Sequence, residues 1–204
     1  MRHLPHAALI ALGLALPAPV PAQETTLPGG TPVRPADAEK LADFDSHVGA
    51  ALRQALQEGS GEDVEILVRS LRGTPMPAET ALRDLQGDWR CRTIKAGEIA
   101  ALVVYQDFAC RFDGEGFEKL TGSQRTRGTV HADDGRLIYL GTGFVEGSEV
   151  PAYADLPEDP LNAPGAGQIW ADIGVVEMVA PDRARIVLPD PDLESRMNVI
   201  WLTR

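Results

Sequence analysis

Arg90 and Arg92, and again Arg125 and Arg127, stand two residues apart in stretches where apolar residues alternate with polar ones. On a β-strand that spacing puts each pair on one face. Joined by Lys95, Arg111 and Lys119, such a set suits a carboxylate or another anionic ligand, because the planar guanidinium fork bonds these groups bidentately. The turn Gly122-Ser123-Gln124-Arg125 adjoins the second pair. The candidate ligand-binding residues are therefore Arg90, Arg92, Arg125, Arg127, Ser123 and Gln124. A simpler use of the same charges is cross-strand pairing with Asp88, Asp107, Glu115 and Glu118 on a solvated sheet face.

Catalytic groups are scarce. Past the first 22 residues the only histidines are His47 and His131, and both cysteines are needed elsewhere, so no His/Cys metal spacing exists. Ser123 lacks the second glycine of a nucleophile elbow. Ser123 with His131 would lack a third, orienting group. Glu158-Asp159 and Asp190 with Asp192 are ordinary surface carboxylates in an acidic chain, and neither an EF-hand nor a nonapeptide calcium pattern is present. Glycine-rich nucleotide fingerprints are missing too. No catalytic residue, metal site or cofactor is assigned.

The first residues address the chain. Arg2 precedes an apolar run from Ala7 to Leu16, and Val20-Pro21-Ala22 supplies small residues for cleavage. That describes a secretory signal peptide over residues 1–22, processed between Ala22 and Gln23. The run is too short to span a bilayer. Export to a periplasm or beyond is expected, and an exported chain with two cysteines should join them. Nineteen basic against 30 acidic residues give a net charge of −11, which argues against nucleic acid or an anionic membrane surface as partner.

Two kinds of element must position these groups. Residues 23–35 are rich in Pro, Gly and Thr and are expected to form a flexible leader. From Ala36, apolar residues recur at helical steps (Leu41, Phe44, Val48, Leu52, Ala55, Leu56), ending at Gly59 as a left-handed cap. Ser60 and Asp63 approximate a capping box before a second stripe of Val64, Leu67, Val68 and Leu71. Gly73 closes this helical hairpin, residues 36–73, and Ala78 to Leu82 could add one more turn.

After Gly87 the period changes to two. Trp89, Cys91 and Thr93 share one face, and Leu102, Val104, Phe108, Cys110 and Phe112 share one face of the next strand. Further strands follow at Gly116, Gln124, Arg136, Ile169, Arg183 and Arg196, with Asp133-Asp134-Gly135 as a hairpin turn and Gly174 a candidate break. Residues 143–167 make a long Gly- and Pro-rich connection, either functional or mobile. The expected fold is α+β, one domain over residues 36–204. Its helical hairpin packs on an antiparallel β-barrel or strongly curved β-meander of about seven to nine strands over residues 87–204.

Gly87-Asp88-Trp89-Arg90-Cys91-Arg92-Thr93-Ile94-Lys95, Tyr105, Cys110-Arg111, Lys119 through Arg125, Gly128 and Leu140-Gly141-Thr142 together resemble a bacterial family of exported proteins, the domain of unknown function 4893 family. The resemblance implies export and a β-rich body, and it carries no catalytic residue across. Gly87-Asp88-Trp89 also resembles the start of lipocalin-type barrels. That likeness implies that Trp89 plugs a closed barrel end and that an arginine near the last strand, Arg196 or Arg204, packs on it. The helical hairpin and the long loop depart from that group.

The expected role is non-enzymatic: binding of a small or anionic ligand, or of an envelope protein partner, without membrane insertion after the signal is removed. A hydrolase built from the barrel mouth and loop 143–167, or an envelope scaffold, are the alternatives.

Overall fold

The computed structural model describes residues 25–27, 30–160 and 162–204. The expected signal peptide, residues 1–22, lies outside the described residues. A short β1 (Thr25–Thr26) pairs with β2 (Pro32–Val33), and four helices follow: α1 (Pro35–Ala42), α2 (Phe44–Glu58), α3 (Gly61–Leu71) and α4 (Ala78–Asp84). Eight strands complete the chain: β3 (Gly87–Ala96), β4 (Leu102–Asp113), β5 (Gly116–Lys119), β6 (Gln124–Asp133), β7 (Arg136–Val145), β8 (Ile169–Ala180), β9 (Arg183–Pro189) and β10 (Met197–Thr203). Each pairs antiparallel with the next, and β10 pairs back onto β3 with Leu202 opposite Cys91. The sheet is a closed barrel, so no strand of it is left with an open edge.

Alternation fills the interior. Trp89, Cys91, Phe112, Phe117, Val130, Leu137, Tyr139, Met178, Ile186 and Leu202 form one buried cluster. The other face of β10, with Met197 and Val199, joins Ile94, Ala96 and Val187 beneath α2 and α3. Both faces of β10 are therefore apolar for different reasons: one is barrel interior, the other lies under helices.

The two helical stripes are turned from the expected position. Ala51, Ala55 and Leu67 are fully buried, whereas Leu56 and Val68 are exposed. Ser60 does cap α3, its side chain accepting from the Asp63 amide at 3.2 Å. Gly59 is extended (φ −71°, ψ 155°), not left-handed, and glycine is required because a Cβ would sit 2.5 Å from the Ala55 carbonyl oxygen. The leader also takes structure. Leu27 and Val33 are buried with Ile138, Leu140, Ile173 and Val175 of the outer wall.

α4 forms the floor. Ala81 and Leu85 enter the interior cluster at the barrel end formed by the Asp113–Gly116 and Asp133–Arg136 turns. Trp89 lies against this helix, its indole Nε1 donating to the Leu85 carbonyl at 2.6 Å. The guanidinium of Arg204 stands 4.1 Å from the Trp89 ring and donates to the carbonyls of Asp84, Gln86 and Pro181. Arg204, not Arg196, is thus the arginine on the tryptophan; Arg196 pairs with Glu98 on the surface.

One expectation about β4 fails for a definite reason. Arg92 pairs with Asp107 but Ile94 with Val104, so two steps on β3 face three on β4. This bulge reverses the parity of β4. Phe108, Cys110 and Phe112 face the interior, while Leu102 and Val104 turn out against α2 and α3. Gly174, by contrast, neither breaks nor bulges β8; the irregularity in that strand lies between Met178 and Ala180.

Candidate functional site

The end opposite α4 is open. A cavity of about 380 Å³ enters there, within the usual range for small-molecule sites. Its wall combines apolar Leu188, Ile200 and Phe108 with Lys95, Lys119, Arg125, Gln124, Trp170 and Asp172. Closure of the barrel dictates which side chains reach it: positions near the ends of β3, β5 and β9, in the middle of β4, and near the starts of β6, β8 and β10.

Lys119 projects inward from the end of β5 and is 5 % exposed. Its Nζ lies 3.8 Å from the Phe108 ring centroid and donates to the carbonyls of Thr121 at 3.0 Å and Gln124 at 2.5 Å. Gly122 allows the turn to press this close. It is in the left-handed region (φ +96°), and a Cβ there would meet Lys119 Nζ and Phe108 at 2.8 Å. Burial, with Arg125 and Lys95 nearby, pulls the ammonium down to about 8. Among the described residues no carboxylate lies within ion-pair distance of it.

The neighbouring cations are partnered. Lys95 donates to Gln124 Oε1 at 2.8 Å and to Glu194 at 2.5 Å, and the Lys95 ammonium holds the Glu194 carboxyl below its usual range. Arg125 bonds the Gly122 carbonyl and pairs with Glu146 at the rim.

Deeper in, Asp172 points from β8 and is 6 % exposed. Trp170 Nε1 donates to its carboxylate at 3.0 Å, and Thr126 beside it shares a 2.8 Å hydrogen bond with the Tyr139 hydroxyl. Burial pushes the carboxyl up to about 6 despite the stabilising Thr126 and Trp170 donors, and pushes the Tyr139 hydroxyl well above its usual value. Room for these rings comes from inward glycines. A Cβ on Gly143 would collide with the Trp170 indole at 1.9 Å, and one on Gly141 with the Tyr139 hydroxyl at 2.2 Å.

The six sequence candidates divide. Ser123, Gln124 and Arg125 line the mouth together. Arg90 and Arg92 stand on the outer wall, in a depression shared with Glu62, Glu65, Arg69 and Asp107, where Arg92 pairs with Asp107 at 2.7 Å. Arg127 pairs outside with Glu118 at 3.5 Å, and Arg111 with Asp88 at 2.6 Å. Three of the cross-strand pairs expected from charge alone are therefore present. Ser123 immediately precedes β6 and His131 lies near its far end, roughly 26 Å away along a strand. His131 bonds Thr129 on the outer face.

None of the described residues of loop 143–167 lines the cavity. β7 runs on to Val145, and the chain beyond packs on the outer wall through Tyr153 and Leu156. Tyr153 donates to Asp37 Oδ2 at 2.8 Å, tying the loop to α1. Among the described residues of the loop, only Glu146, through Arg125, approaches the rim.

Sequence reasoning missed Asp172, Trp170, Thr126 and Tyr139. The available signal was an acid at an inward position of β8, in Trp170-Ala171-Asp172-Ile173, where alternation otherwise places apolar residues.

Cys91 and Cys110 are disulfide-bonded with Cα atoms 5.8 Å apart, inside the barrel below the cavity. Among the described residues no group of His, Cys, Asp or Glu is clustered to hold a metal ion, and no helix is long and apolar enough to cross a membrane. The model of a family described as "Domain of unknown function (DUF4893)" matches residues 31–202. Neither the curated proteins nor the solved structures give a match.

Proposed function

The chain belongs to the DUF4893 family, and from the lining of its barrel mouth we propose that it binds a small ligand through an anionic head. The observation carrying this reading is Lys119: a desolvated ammonium facing a cavity with backbone carbonyls, but no carboxylate, as partners. A buried cation lacking a counter-ion gains most when a ligand brings one. Leu188, Ile200 and Phe108 offer apolar surface for the rest of such a molecule. Ser123, Gln124 and Arg125 form the rim that the head would pass.

Binding without catalysis is favoured because Ser123 and His131 are apart and Glu146, the carboxylate that loop 143–167 brings to the rim, is held in an ion pair with Arg125. A scaffold role fits less well with a barrel left open at one end. The same reading makes the protein exported, periplasmic or secreted, with cleavage near Ala22; the Cys91–Cys110 bond supports an oxidising compartment.

Calorimetry with caproate near neutral pH tests the ligand class. The wild-type chain should bind it, and Lys119→Gln should weaken binding about tenfold or more, the worth of one charge-assisted hydrogen bond. Equal affinity in the two proteins would remove the role given to Lys119.

A further inference from the structure

The cavity has two poles. Lys95, Lys119 and Arg125 stand within a residue of the strand ends at the mouth, and Asp172 stands three residues inside the start of β8. The rim cations Lys95 and Arg125 are matched by Glu194 and Glu146, which leaves Lys119 as the unmatched positive charge. Asp172 is the matching case of opposite sign. Its carboxylate is more than nine-tenths buried and takes a hydrogen bond from neutral Trp170, with Thr126 as its other side-chain support. Among the described residues no lysine, arginine or histidine forms an ion pair with it. Of the charges acting at a distance, Lys40 favours its ionised form and Asp192 opposes it. A buried ionised carboxylate held by neutral donors is as incomplete as the ammonium above it.

Resting on the anion-binding reading of this mouth, we propose that the ligand is zwitterionic: its carboxylate meets Lys119 at the rim and its ammonium meets Asp172 at depth. Opposite charges at the two ends fix the orientation of the molecule, and the apolar wall of Leu188 and Ile200 receives the methylenes between them. Small amino carboxylates are the class this describes. A simple fatty acid would satisfy one pole and leave the other buried and unpaired. Trp170 lines the same cavity and its indole Nε1–H donates to the Asp172 carboxylate, so that proton reports directly on the event.

The test compares β-alanine, γ-aminobutyrate and ε-aminocaproate, each against the carboxylate of equal length lacking the amine, at about pH 7, between the Asp172 and Lys119 values. The best-fitting amino carboxylate should bind the wild-type chain about tenfold or more tightly than its partner. Asp172→Asn, which keeps an acceptor for Trp170, should abolish that advantage while leaving the plain carboxylate bound. In the wild-type chain the Trp170 indole proton resonance should move with the amino carboxylate and not with its amine-free partner, a readout that needs no variant. Equal affinities within every pair would overturn the zwitterion while leaving anion binding standing. An advantage that survives in Asp172→Asn would overturn the assignment of Asp172. Failure of both compounds in every pair would sink the anion-binding reading along with it.

Discussion

Trp89→Ala should destabilise the protein by about 3–5 kcal/mol, the range for deleting a large buried aromatic. The side chain is 3 % exposed and lies at the junction of β3, α4 and the C-terminal residue. Its loss leaves a cavity between floor and barrel, orphans the Leu85 carbonyl, and removes the ring on which the Arg204 guanidinium stacks. Those three effects act together because Arg204 also holds the Asp84 and Gln86 carbonyls at the end of α4. Trp89→Phe keeps a ring but not the indole donor, and should cost less than alanine, with about 1 kcal/mol of its cost being the net worth of the lost hydrogen bond. Urea unfolding followed by circular dichroism separates the two variants. A loss below about 1 kcal/mol for alanine would mean that Trp89 does not plug the barrel.

Opening the Cys91–Cys110 bond should cost about 3 kcal/mol, the chain-entropy value for a loop of this length, whose ends are 19 residues apart. The bond joins neighbouring strands that are already in register, Trp89 opposite Cys110 and Cys91 opposite Phe108. Its contribution therefore lies chiefly in restricting the unfolded chain, and the reduced protein should keep its fold with a lower urea midpoint. The proposed export adds a condition that can be checked on the same material. Chain recovered from its native host should begin at Gln23 and carry no free thiol; an intact start at Met1 or two free thiols would contradict export.

Much of the fold was legible because its signals are local. All eight barrel strands were marked by period-two alternation and by turns such as Asp133-Asp134-Gly135, and the inward set of Trp89, Cys91 and Cys110 followed from parity. What escaped was non-local. The β4 bulge depends on how two strands are paired, and it moved Leu102 and Val104 from the interior to the helix-covered wall. The exposure of Leu56 and Val68 depends on how α2 and α3 lie on the barrel, which an apolar stripe alone does not determine. Tyr153 and Leu156 sit in a Pro- and Gly-rich segment with no period, yet they fasten it to α1 and the outer wall.

The candidate site was half visible for the same reason. Ser123, Gln124 and Arg125 share a turn, so proximity in sequence sufficed. Lys95 and Lys119 were recognised as basic but not as inward, because only closure of the barrel brings the ends of β3 and β5 to one mouth. Arg90, Arg92 and Arg127 were grouped with Arg125 by spacing, yet they sit outside, where Asp107 and Glu118 answer two of them.

The central claim, that the barrel mouth is the binding site and Lys119 its anion anchor, is tested most directly by mapping amide and indole chemical shifts during a caproate titration. Shifts should concentrate at Lys95, Lys119 and Gln124, with the outer-wall depression around Arg90 and Arg92 unmoved. Shifts centred on that depression, with the mouth silent, would contradict it.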